Sequence, residues 1–152
     1  MSIFNSINTS ASALTAQRLR MDVISSNMAN VDTTRAKQLE NGEWEPYRRK
    51  SVILQSKDGN FSSFLNVAMN NQGSVGTGVK VKSIEDDTET PFNMVYDPEH
   101  PDADENGYVA MPNVDPLREM VDLISATRSY EANVTAMNAS KGMLMKALEI
   151  GK

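Results

Sequence analysis

The carboxylates near residue 100 are the part of this chain best suited to chemistry. Asp102-Ala103-Asp104-Glu105-Asn106-Gly107-Tyr108-Val109 follows the first eight positions of a calcium loop, with acids at one and three, Asn at five, Gly at six and an apolar residue at eight. Such residues suit a hard cation, which takes carboxylate and carbonyl oxygens. The pattern then breaks: position twelve, where a bidentate Glu would close the cage, is Asn113, preceded by Pro112. An acidic hairpin turning at Asn106-Gly107 accounts for the same residues, because Asn-Gly accepts the left-handed backbone of tight turns. His100 is the sole histidine, set between Glu99 and Pro101, and no second His and no Cys exists to complete a zinc set. It reads as a solvated loop residue. Gly73-Ser74-Val75-Gly76-Thr77-Gly78-Val79-Lys80 lacks the spacing of a phosphate loop, and its Lys is not followed by Ser or Thr. It reads as a strand connection. Arg48-Arg49-Lys50, a basic triplet in an acidic segment, reads as a solvated strand edge or a salt-bridge face.

These residues do not make an enzyme. One histidine on an acidic loop cannot serve a Ser/His/Asp set, there is no cysteine nucleophile, and no cofactor motif is present. The expectation is a chain without catalytic residues, metal or cofactor. A formal net charge of -5 also argues against nucleic acid, whose phosphates call for a basic surface. The charge is uneven: residues 38–112 carry six basic groups and thirteen acids, residues 113–152 five of each, and residues 1–37 four basic groups and two acids.

The elements that position these residues fall into three segments. An N-terminal helix is expected from about Ser6 to Met28, where Ile7, Leu14, Met21 and Met28 recur every seven residues, flanked by Ala11, Leu19, Ile24 and Val31. It should fade at Asn27-Met28-Ala29-Asn30, because Asn competes for backbone hydrogen bonds. A longer C-terminal helix has clearer punctuation: Asp115 as N-cap, Pro116 at the first helical position, Gly151 as a stop. Leu123, Tyr130, Met137 and Leu144 recur every seven residues along it, with a second row of Met120, Thr127, Val134 and Leu148 interrupted by Lys141. The expected lengths are about 35–40 Å and about 50 Å.

Between them, residues 42–112 change character. Val52-Ile53-Leu54, Val79-Lys80-Val81 and Tyr108-Val109 read as strands, with glycines and prolines marking turns. Residues 55–72 fit either a short helix or a loop. The fold class is therefore α+β, with long N- and C-terminal helices pairing as an antiparallel coiled coil around a small β-rich insert. Residues 1–34 and 114–152 would form the helical domain and residues 35–113 the insert. With 39% hydrophobic and 6% aromatic residues, the chain has few apolar partners for two such helices. Assembly with other chains is the natural outlet. No apolar run is long enough to span a bilayer, so no membrane insertion is expected. The Ser-, Thr- and Asn-rich first 30 residues lack the apolar stretch of a secretory signal, which leaves a cytosolic protein or one exported without a cleaved signal.

Several segments carry a specific resemblance. Ser25-Ser26-Asn27-Met28-Ala29-Asn30-Val31-Asp32-Thr33-Thr34 resembles the signature that follows the first helix of flagellar rod and hook axial proteins. Tyr47-Arg48-Arg49-Lys50, Tyr96-Asp97-Pro98 and Pro101-Asp102-Ala103-Asp104 are similar to segments of one branch of that family. So are Asn106-Gly107-Tyr108-Val109, Met111-Pro112-Asn113-Val114-Asp115 and Glu119-Met120-Val121-Asp122. Arg128-Ser129-Tyr130-Glu131-Ala132-Asn133 and Lys146-Ala147-Leu148-Glu149-Ile150-Gly151 complete the likeness. Thr33-Thr34-Arg35 stands where many rod and hook relatives have Pro-Gly-Tyr.

The resemblance implies a structural subunit of the basal-body rod whose terminal helices build an inner tube around an export channel, with the insert outside. It implies export by the flagellar apparatus through an uncleaved N-terminal region. Implied partners are other copies of the chain, proximal and distal rod proteins, the basal-body adaptor and the export apparatus. Interface residues expected on this reading are Ile7, Leu14, Met21, Asn27, Met28 and Asn30 on the first helix, and Leu123, Arg128, Tyr130, Met137 and Leu144 on the last. The basic triplet would meet an acidic patch on a neighbour. A competing reading is a binding module whose acidic loop holds calcium or a protein partner.

Overall fold

In a computed structural model the described residues are 3–40, 42–57, 69 and 78–151. The fold is α+β, with a helix at each end and a small strand-containing insert between. Helix α1 spans Ile3–Ala29 and helix α2 spans Pro116–Ile150. Asp115 caps α2: its carboxylate accepts from the backbone N–H of Leu117 at 2.9 Å and of Arg118 at 3.5 Å. That satisfies two of the donors a helix start leaves open, and Pro116 contributes none. At the far end of α1, Asn30 closes the helix with backbone and side-chain N–H bonds to the Ser26 carbonyl.

The insert is three two-stranded ribbons. β1 (Lys37–Gln38) pairs antiparallel with β2 (Trp44–Glu45), β3 (Lys50–Ser56) pairs with β4 (Val79–Asp86), and β5 (Asn93–Tyr96) pairs antiparallel with β6 (Tyr108–Met111). Three of these strands hold the expected apolar runs. The β1–β2 ribbon and β5 were not signalled by the sequence, because none of the three strands exceeds four residues and none alternates cleanly. Asn106-Gly107 does not join two strands directly. Residues 97–107 connect β5 to β6, and Asn106-Gly107 closes a tighter turn at their end, where the Gly107 N–H donates to the Asp104 carbonyl and the Asp104 N–H to that of Tyr108. Gly107 has φ +79, a conformation that favours glycine. Of the glycine-rich stretch, residues 73–77 lie outside the described residues, as do most of 55–72.

The chain forms two compact units. The first comprises Met1–Met21, Val52–Ser83 and Ser125–Lys152; the second comprises Asp22–Ser51 and Ile84–Ile124. In the first, the Thr127 hydroxyl donates to the Met21 sulfur at 3.6 Å and the Ser6 hydroxyl to that of Ser140 at 3.3 Å. The β3–β4 ribbon docks on α1 where the Val79 N–H donates to Ser12 Oγ at 3.1 Å. Gly78 makes this approach possible: its φ is +113, and a Cβ there would lie 2.3 Å from Ser12 Oγ.

Along α2 the inward row is Glu119, Ala126, Asn133 and Ser140, of which Glu119, Ala126 and Ser140 are buried. Leu123, Tyr130, Met137 and Leu144 flank that row, all half-buried. The second row expected from the sequence lies further round, with Thr127 and Val134 half-buried and Met120, Lys141 and Leu148 exposed. An apolar periodicity cannot register a seam built from Ala, Ser, Asn and Glu. On α1 the first residues Phe4, Asn5 and Ser6 are exposed, and beyond them a stripe of Asn8, Ala11, Thr15, Arg18, Asp22, Ser25 and Ala29, with Ser26 beside it.

Candidate functional site

The second unit contains the most heavily bonded site in the described chain, centred on two fully buried polar side chains, Asn27 and Glu119, both 0% exposed. Asn27 lies in the last turns of α1 and Glu119 in the first turn of α2. A buried amide or carboxylate without partners is costly, so their bonds must be accounted for completely. The Asn27 amide donates to the Lys50 carbonyl at 2.9 Å and to Glu119 Oε2 at 3.0 Å. Its Oδ1 accepts from the Tyr47 hydroxyl and from the Lys50 N–H, each at 3.0 Å. All four bonding positions of the amide are thereby filled.

Glu119 needs a cation, and Arg49 supplies it: Nε donates to Glu119 Oε1 at 2.6 Å, while a terminal nitrogen reaches Asp122 at 3.4 Å. Asn113 holds the backbone of the same arginine, accepting from the Arg49 N–H at 2.7 Å and donating to the carbonyls of Asp87 and Thr90 at 3.0 and 3.1 Å. The Asp87 N–H in turn donates to the Arg49 carbonyl at 2.8 Å. One network therefore ties the end of α1, the start of β3, the turn after β4 and the start of α2. It moves no proton and presents no nucleophile. Its capacity is mechanical, since buried paired charges resist separation.

The acidic loop is organised by its own contacts. Asp102 accepts from Thr34 Oγ1 and from Arg35 Nε, both at 2.7 Å. The bond from Arg35 and then that from Thr34 hold its carboxyl below the usual carboxylate range. The Asp104 carboxylate accepts the N–H groups of Asn106 and Tyr108 at 2.9 and 2.8 Å. His100 Nδ1 accepts the Asp102 N–H at 3.1 Å. The two carboxylates at calcium-loop positions one and three thus serve the loop's own turn and a neighbouring strap.

Comparison with known proteins decides the family. Residues 7–37 match the family model described as flagella basal body rod protein, and residues 105–150 match flagellar basal body rod FlgEFG protein C-terminal. The chain is 70% identical to the flagellar basal-body rod protein FlgC of Bacillus subtilis over all of both chains. It is 46% identical to that of Borreliella burgdorferi over 99% of this chain and 98% of the other. It is 39% identical to that of Salmonella typhimurium over all of both. The chain belongs to the flagellar basal-body rod protein FlgC family. Its place is therefore the flagellar basal body, in a family of structural rod proteins and not of enzymes.

The FlgC-like segments read from the sequence meet at the buried network. Asn27 comes from the signature after α1, Tyr47, Arg49 and Lys50 from the Tyr-Arg-Arg-Lys stretch, Asn113 from the run before α2, and Glu119 and Asp122 from its first turns. Of the expected interface residues, Asn27 is buried within the second unit and Asn30 caps α1, accepting from Thr33 Oγ1 at 3.1 Å. Ile7, Leu14, Met21, Met28, Leu123, Tyr130, Met137 and Leu144 are half-buried, and Arg128 is exposed. Sequence reasoning missed Tyr47, Arg49, Asn113 and Glu119 as a set. The available signal was that four separate family segments each contribute at least one bonding side chain.

Proposed function

We propose that this FlgC-family chain polymerises through its terminal helices into the drive shaft of the proximal rod, transmits torque there and surrounds the export channel. In this reading α1 and α2 pair as an antiparallel coiled coil. Two contacts support that direction: Met21 meets Thr127, and the earlier Ser6 meets the later Ser140. Residues 1–34 and 114–152 form the rod core and residues 35–113 lie outside it. The chain reaches this place through the flagellar export apparatus without a cleaved signal. Its neighbours are further copies of itself, the other proximal and distal rod proteins and the basal-body adaptor, with no nucleic acid and no membrane insertion. Ile7, Leu14, Met21, Met28, Leu123, Arg128, Tyr130, Met137 and Leu144 carry the subunit contacts, while Asn27 and Asn30 contribute by holding the end of α1 in shape.

The observation that carries this reading is the outer face of α2. Leu117, Val121 and Ile124 share one helical stripe and are 71%, 67% and 56% exposed. Leu148 and Ile150 near the other end are also exposed. A helix that leaves such side chains in water is built to bury them elsewhere, and obligate assembly interfaces resemble a core cut in half. The test is the pair Val121→Asp and Ile124→Asp. Both side chains are exposed in the single chain, so helix content and melting of the purified protein stay near those of the parent. Incorporation into basal bodies and swimming are lost. Normal incorporation of a stable double variant would contradict the proposal.

A further inference from the structure

The β5–β6 ribbon leaves one whole strand uncovered. All four residues of β5 are exposed. Met94, Tyr96 and Tyr108 share one face, since Tyr96 stands opposite Tyr108 and Met94 opposite Ala110. Tyr96 is 65% exposed, and its ring meets that of Tyr108 edge to face at 5.3 Å. Exposed paired tyrosines beside a methionine have the composition of a contact centre, not of a solvated surface.

The surroundings say what would cover this face. Residues 83–117 hold ten carboxylates and no Lys or Arg. Among them, Asp86 is met by Lys50 and Asp102 by Arg35, both from elsewhere in the unit. Asp97, Glu99, Asp104 and Glu105, which border the tyrosine face, are exposed and have no cationic partner among the described residues. The complementary surface is on the same chain. Lys80 and Lys82 alternate on β4, so both point from one face of the β3–β4 ribbon, and both are exposed with no described carboxylate paired to them.

We infer that the insert makes a head-to-tail contact between copies, in which Lys80 and Lys82 of one chain sit on the Tyr96–Tyr108 face and acidic loop 97–105 of a second copy. The tyrosine rings offer cation–π contact and the carboxylates fix the register. Such a contact joins two different patches, so it propagates from copy to copy instead of closing a dimer. This inference rests on the proposal that the chain assembles with itself in the rod, and it adds a second contact to that of the helices.

The chain has no cysteine, so introduced thiols report cleanly. One strain expresses Lys82→Cys, another Glu105→Cys, and a third both single variants together. Basal bodies are treated with a short bis-maleimide and the chain is followed by immunoblot. A head-to-tail contact gives a dimer band only in the third strain. No dimer there, or equal dimers with one variant alone, overturns the inference. Absence of the parent chain from basal bodies would overturn the rod proposal as well, so the two failures are distinct. As a second arm, Lys80→Glu with Lys82→Glu abolishes incorporation, and adding Glu99→Lys and Glu105→Lys restores it. Full incorporation of the first pair, or no restoration by the second, also counts against the contact.

Discussion

At the scale of single residues, the weight of this protein rests on Asn27 and Glu119. Each is fully buried, and each of their side-chain polar atoms has a named partner. Truncating one member strands the others: Glu119→Ala leaves the Arg49 guanidinium without its main anion, and Arg49→Ala leaves a buried carboxylate. Loss of one partner from such a pair costs about 3–5 kcal/mol. Asn27→Ala leaves the Tyr47 hydroxyl and the Lys50 N–H without their acceptor and costs about 1–3 kcal/mol on the same reasoning. Arg128→Ala, at an exposed position, shifts stability by less than about 0.5 kcal/mol. Urea denaturation of the four variants checks the order. A near-parental midpoint for Glu119→Ala would show that the network does not hold the second unit together.

At the scale of elements, the sequence was legible where the signals were periodic or local. The cap at Asp115 with Pro116, and the runs that became β3, β4 and β6, are of this kind. The seven-residue rows located both helices but not the innermost row of α2. That row is Glu119, Ala126, Asn133 and Ser140, which no scale of hydrophobicity would choose. The buried network was not legible either. Its members lie far apart in sequence, and an Asn or Glu reads as solvated until its partners are known. The β1–β2 ribbon and β5 were lost because short strands take their pairing from tertiary context. Gly78 is the position where an element-level prediction is sharpest. At φ +113, with Ser12 Oγ 2.3 Å from any added Cβ, Gly78→Ala is strained in its backbone and forces either the Ser12 hydroxyl off the Val79 N–H or the ribbon off α1. It destabilises the first unit by at least about 1 kcal/mol, readable as a lower melting temperature. An unchanged melting temperature would mean that the ribbon is not anchored there.

At the scale of the whole molecule, two observations point outward. The stripe Leu117, Val121 and Ile124 is apolar and exposed on α2, and the tyrosine face of β5–β6 is exposed among carboxylates. A chain meant to work alone would bury the first and dilute the second. On the proposed rod assembly both are used, with torque spread over many modest contacts repeated over a lattice. The same logic places the strongest bonds inside the subunit, at Asn27 and Glu119, where shape must not yield. On the proposed assembly, the terminal helices complete their burial only in the rod. Amide hydrogen exchange tests it most directly, comparing dilute purified chain with intact basal bodies and following residues 6–29 and 116–150. Weak protection is expected at residues 6–21 and 125–150 in the dilute chain, with residues 22–29, 45–50 and 108–122 around the buried network better protected, and a large gain along 6–21 and 125–150 on assembly. Strong, uniform protection in the dilute chain with no gain in the basal body would contradict it.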